Sequence, residues 1–173
     1  MADDATMTIS AVVLPDELAK TFASQTYVYT PADTTEGWYY KLVNIGTASR
    51  DLIATETFMQ KGTTAAGADT GAAMPAITTS DVVKFLFIKH TGKRSDGTAN
   101  NTADSVFITC DGETAVHSKK GAIEIGPSEC WFGKFSPGTT VADIHVISGQ
   151  KLGAGTGGNE IQCIVAAIID DVA

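Results

Sequence analysis

The sequence is poor in basic residues and cysteines, and it has no long apolar run. Lys and Arg number 12 against 20 Asp and Glu, a formal net charge of −8. Phosphate backbones and anionic lipid surfaces are bound chiefly through basic side chains, so neither nucleic acid nor a membrane is expected as a partner. The densest basic stretch is only Lys93-Arg94, with Lys119-Lys120 further on. No apolar run reaches the roughly 18 residues that a membrane-crossing helix needs. The first residues, Met1-Ala2-Asp3-Asp4, are acidic where a secretory signal would be positive. We therefore expect a chain made in the cytoplasm that stays soluble. Cys110, Cys130 and Cys163 are odd in number and widely spaced, which does not suit a disulfide framework. They are expected to be free, buried thiols.

What is present is globular: 43% hydrophobic and 18% charged over 173 residues. A chain of this size fits one domain and removes roughly 70% of its unfolded surface on folding. Strand signals dominate from Val82 onward. Val82–His90 is rich in β-branched and aromatic residues and ends at Thr91-Gly92. Ser105–Cys110 follows, closed by Asp111-Gly112, a tight-turn dipeptide. Ala122–Ile125 stops at Gly126-Pro127, Glu129–Phe135 stops at Ser136-Pro137-Gly138, and Asp143–Ser148 is a fifth strand. Glu160–Ile169 is apolar at both alternations, which predicts a central strand covered on both sides.

The first 81 residues are less regular. Thr8–Leu14, Gln25–Thr30 and Trp38–Asn44 read as strands, and Pro15–Phe22 as a short helix with acids in its first turn. Arg50–Lys61 fits neither period cleanly and is read as a strand. Residues 62–80, rich in Gly, Ala and Thr, read either as an arm that orders against a neighbouring subunit or as a surface loop. The expectation is an all-β, antiparallel jelly roll or β-sandwich with a short helix and an elaborated N-terminal part. Residues 1–81 and 82–173 are its two parts, the second being the sandwich core.

Each apparent chemical motif fails on context. Gly153-Ala154-Gly155-Thr156-Gly157-Gly158 has dinucleotide-loop spacing, but the mechanism needs a following helix and Glu160–Ile164 is a strand. His90, His117, His145 and the cysteines lack the close ligand pairs of zinc sites, and Ile144-His145-Val146 offers one histidine where metal cupins carry two. A thiol in an apolar β run is a core residue more readily than a nucleophile. Asn100-Asn101-Thr102 is a glycosylation sequon without a secretory route. Asp170-Asp171 reads as a solvated end. Trp38-Tyr39-Tyr40 and Trp131-Phe132 suit core anchors between sheets, or else a sugar-stacking platform or a subunit interface. No catalytic, cofactor-binding or metal-ligating residue is assigned, and the protein is not expected to be an enzyme.

One further feature carries functional weight. His90-Thr91-Gly92, then Val106–Gly112, Ala122–Lys134 with Gly-Pro-Ser-Glu-Cys-Trp-Phe-Gly-Lys, Asp143–Gly149 and a last apolar strand resemble small virion structural proteins of tailed bacteriophages. Head decoration (cement) proteins with a jelly-roll fold are the nearest type, over about residues 82–171. Such modules often have Pro-Gly-Glu at the bend where this chain has Pro127-Ser128-Glu129. The resemblance implies a dimer or trimer that binds the outside of an assembled head and bridges major capsid subunits. It implies no catalytic or ligand site. The rival readings are a carbohydrate- or receptor-binding module of a tail, fibre or baseplate, and a cupin-like enzyme.

Overall fold

The structure is a computed structural model that describes residues 5–11, 23–30, 36–53, 59–60, 77–99, 104–116, 120–150 and 160–170. The expected helix at 15–22, the glycine loop at 153–158, the sequon and most of the 62–80 segment lie outside them. Two compact units are present, Met1–Thr34 and Thr35–Ala173. The first holds a two-stranded antiparallel ribbon, β1 (Ala5–Ala11) and β2 (Ala23–Tyr29), paired from Ala5↔Tyr29 to Ala11↔Ala23.

The second unit is an antiparallel β-sandwich, with nine strands among its described residues. They are β3 (Glu36–Ile45), β4 (Arg50–Asp51), β5 (Met59–Gln60), β6 (Val82–Arg94), β7 (Asp104–Thr109), β8 (Ile123–Ile125), β9 (Cys130–Lys134), β10 (His145–Gln150) and β11 (Ile161–Asp170). One sheet runs β5-β3-β11-β6-β9 and the other β4-β10-β7-β8. Setting aside the edge strand β5, the pairs nest: β3 with β11, β4 with β10, β6 with β9, β7 with β8. A long antiparallel hairpin rolled over on itself gives that order, which is the jelly roll.

The core is aliphatic and lies between the sheets. Val43, Ile45, Leu86, Ile88, Ile161 and Val165 from the five-stranded sheet meet Val106, Ile108, Ile125 and Val146 from the other. β11 is central, between β3 and β6, as its double apolar alternation predicts. Its outward side is covered only in part, however, because Ile164 remains 43% exposed. A bulge in β6 skips Lys84, between the pairs Ile169↔Val83 and Ile168↔Phe85. Lys84 Nζ then lies 3.0 Å from Asp170 and 3.7 Å from Glu36, which face each other on β11 and β3. The extra residue re-aims the side chain, a common use of a bulge.

Arg50–Lys61 is not one strand. Arg50–Asp51 belongs to one sheet and Met59–Gln60 to the other. Leu52 and Ile53 between them are fully buried, and the Leu52 N–H donates to the Ile144 carbonyl at 2.9 Å. Burying two consecutive apolar side chains in the core breaks the alternation of a strand, hence the unclear period. Asp143 also does not open a strand. Val141–Asp143 is a turn of 3-10 helix, and the Asp143 carboxylate accepts from the Thr140 N–H at 2.7 Å and its hydroxyl at 3.0 Å.

Candidate binding surface

The titratable residues singled out in the sequence are dispersed. His90 is fully buried between the sheets. Its Nδ1 accepts from the Gly92 N–H at 2.9 Å, which leaves the proton on Nε2 to donate to the Asp104 carbonyl at 3.2 Å. Burial holds its pKa below the ordinary histidine value, against the opposing pull of the Asp104 bond and of the Asp104 and Glu129 charges. Both ring nitrogens are thereby satisfied, as a core histidine requires. His145 pairs instead with its cross-strand neighbour Asp51, Nε2 to Oδ1 at 3.0 Å. His117 lies outside the described residues. No group of three or more His, Cys, Asp or Glu among the described residues could hold a metal ion. No helix among them is long and apolar enough to cross a membrane.

The cysteines divide. Burial pushes the Cys163 thiol up to about 12. Cys110, half-buried, is pushed up to about 11 by burial first and then by Asp111 and Asp143. Such thiols are poor nucleophiles, since the thiolate is the attacking species. Cys130, in contrast, is exposed. The expectation of three buried thiols therefore fails at Cys130, because it opens the edge strand β9 and its side chain alternates to the outward face.

The aromatic clusters divide as well. Tyr39 enters the core at 3% exposure, whereas Trp38 points outward and meets Phe85 edge-on, ring centroids 6.0 Å apart. Trp131 faces inward against the core and lies 6.0 Å from Phe135. A Cβ added at Gly133 would meet the Trp131 ring at 2.7 Å, so the indole lies over the glycine two residues on. Tyr39 and Trp131 thus turn to the core, while Trp38, Tyr40 and Phe132 lie on the outward face of the five-stranded sheet.

The surface that stands out is the outward face of the five-stranded sheet. Its cross-strand rows follow from the register. Trp38, Ile168, Phe85 and Lys134 form one, Tyr40, Ala166, Phe87 and Phe132 the next, and Leu42, Ile164, Lys89 and Cys130 the third. Within these three rows all but two lysines and one cysteine are apolar, and the polar pairs Glu36↔Asp170 and Asn44↔Gln162 flank them at the two ends. An antiparallel sheet with one solvated face normally alternates to polar residues there. At the first row Phe85 and Ile168 are buried, at 4% and 0%; at the third, Leu42 and Ile164 are 53% and 43% exposed. The open end of this face is thus an aliphatic pair on adjacent strands, bordered by exposed Lys89 and Cys130.

The four-stranded sheet treats its outward face differently. Phe107 and Ile147, on that face of β7 and β10, are 2% and 7% exposed and pack with Ala115 in a cluster of their own. Ala115 belongs to a strap, residues 110–116, that crosses them. The strap is tied by the Ala115 N–H to Ser49 Oγ at 2.8 Å and by Thr109 Oγ1 to the Glu113 carbonyl at 2.9 Å. Asp111, Gly112, Glu113, Thr114 and Val116 are its exposed residues, Val116 at 42%.

Leu42 and Ile164 carried no sequence signal of their own. Both sit in strands apolar at both alternations, and one chain's pattern does not say which outward positions remain open. No protein-family model matches this chain, and neither curated proteins nor solved structures give a match.

Proposed function

We propose that this protein is a virion structural protein that decorates the head of a tailed bacteriophage, binding the outer surface of the shell and bridging major capsid subunits. The observation that carries the reading is the apolar outward face of the five-stranded sheet, open at Leu42 and Ile164. It is a contact surface rather than a reaction site. Exposed contiguous apolar surface on a folded domain marks an interaction site more often than an accident of packing. The strand order suits the jelly-roll type to which the sequence of residues 82–171 bears its resemblance. The charge of −8 favours the outside of the shell over contact with packaged DNA. A standard-size interface of roughly 1,600 Å² suffices for specific binding, and repetition over a lattice multiplies modest contacts.

Co-sedimentation tests the reading. The protein is expected to travel with virions or expanded capsids through a gradient and to be released as a discrete species. Recovery only as free protein in the lysate would overturn the assignment. The stacking-platform reading loses Tyr39 and Trp131, which face the core, and keeps Trp38 and Tyr40 on the outward face, where Trp38 packs on Phe85.

A further inference from the structure

We propose that copies of this chain associate head to tail, the open end of the five-stranded face of one copy seating the 110–116 strap of the next. The contact uses the same open end of the face as the capsid reading, so in any one copy that patch serves either a second copy or the shell, and testing the protein alone in solution separates the two.

The two surfaces are complementary. On the five-stranded face, Leu42 and Ile164 are the exposed aliphatics, the exposed charge in their own row is Lys89, and Lys134 lies two rows away. On the strap, Val116 is the exposed aliphatic, and the exposed charges beside it are Asp111 and Glu113. Three of the four large hydrophobic residues exposed among the described ones are therefore in these two patches. One patch is bordered by a cation and the other by anions.

Charge also selects the mode of association. A two-fold contact of face on face would set Lys89 and Lys134 against their own copies, and strap on strap would do the same with the carboxylates. Like charges juxtaposed at an interface disfavour the pairing, while opposite ones steer it. The two patches lie on opposite outer sides of one sandwich, whose sheets are about 10 Å apart. A face-to-strap contact is therefore heterologous and leaves a free patch at each end of any open assembly. Such contacts close into a ring when the rotation permits and otherwise run on as a chain.

Sedimentation velocity on the full chain over a concentration series is the test. The wild type is expected to show species larger than the monomer. Ile164→Asp and Val116→Asp each place a carboxylate at an already exposed position, so both should keep the wild-type circular dichroism and melting point, yet sediment as monomers. Mixed in equal amounts they should form a heterodimer and nothing larger, because each variant retains the patch the other lacks. Lys89→Glu should weaken association, and pairing with Glu113→Lys should restore it. Cys130 gives a measurement that needs no variant: its alkylation rate, on the same face as Ile164, should fall as wild-type concentration rises. A wild type that stays monomeric throughout the series would overturn the proposal. So would variants that associate like the wild type, a mixture that remains monomeric, or a Cys130 rate independent of concentration.

Discussion

The two sheets of the sandwich face the same problem and solve it differently. Each has large apolar side chains on its outward side as well as its inward one. The four-stranded sheet roofs Phe107 and Ile147 with its own strap, tucking Ala115 over them. The five-stranded sheet buries Phe85 and Ile168 but leaves Leu42 and Ile164 in water. An apolar outward residue thus contributes to stability where the chain covers it and is open to contact where it does not. Burial separates the two roles, and hydrophobicity alone cannot.

The sharpest test of that difference pairs one residue from each outward face. Phe107→Ala empties a roofed position and should cost about 3–5 kcal/mol. Ile164→Ala trims an exposed one and should stay within about 0.5 kcal/mol of the wild type. Urea unfolding of monomeric protein at equal dilution measures both. Equal losses would mean that the open end of the five-stranded face is covered in the folded monomer, and the contrast between the sheets would disappear.

A smaller effect is expected on the inner side of the five-stranded sheet, which is packed far more tightly than its outer side. Gly133→Ala introduces a Cβ 2.7 Å from the Trp131 ring. The indole, pressed between that backbone and the core, has to move. Overpacking of this kind costs about 1–3 kcal/mol. The denaturation midpoint should drop and the tryptophan emission should shift; an unchanged midpoint would show that the ring has room to swing aside.

The sheets are also tied to each other by a polar link, and that link should be sensitive to pH. His90 on β6 donates to the Asp104 carbonyl on β7 and is held neutral by burial. Its folded pKa lies below the value near 6.5 of the unfolded chain. Below that value the unfolded state binds more protons, so stability falls as pH falls. The contribution of the neutral ring is complete above about pH 6.5 and is lost progressively as the pH drops from there through the folded value. Stability measured from pH 7.5 to pH 5 should decline along that course. His90→Gln should be less stable at pH 7.5 but should show a flatter profile, and an equally steep one would assign the decline to other groups.

How much of this was legible in the sequence depends on what the residues had to satisfy. Strands β7 and β8 announced themselves because each apolar run ends at a turn, Asp111-Gly112 and Gly126-Pro127, whereas β6 runs on through the expected stop at Thr91-Gly92 to Arg94. Gly92 and Gly112 do adopt positive φ, 76° and 75°. The segment from Arg50 was unclear for the opposite reason. Leu52 and Ile53 fill the core where the chain crosses between sheets, and that need has no period. Exposure of Cys130, Leu42 and Ile164 was illegible because it depends on what lies across the sheet. The strap over Phe107 was equally hidden: Asp111-Gly112 marks only a turn, and the packing of Ala115 shows only once the fold is known.

The smallest expected effect concerns the corner that joins the two sheets. β8 ends in one sheet and β9 begins in the other, and Gly126-Pro127-Ser128-Glu129 makes the passage. The Glu129 N–H closes on the Gly126 carbonyl at 3.0 Å, and the Glu129 carboxylate accepts from the Gly126 N–H at 2.8 Å. Pro127 suits the second position of such a turn, and the third position needs positive φ. Ser128 supplies it at 67°, alone among the described residues that are not glycine. A residue with a Cβ pays about 1 kcal/mol or more for that conformation, and glycine escapes the cost but loses more chain entropy on folding. Ser128→Gly removes the Cβ and should therefore gain about 0.5 kcal/mol. Ser128→Ala retains the Cβ and should gain nothing. If both variants gain alike, the strain lies not in the backbone but in the contact of the Ser128 hydroxyl with its surroundings.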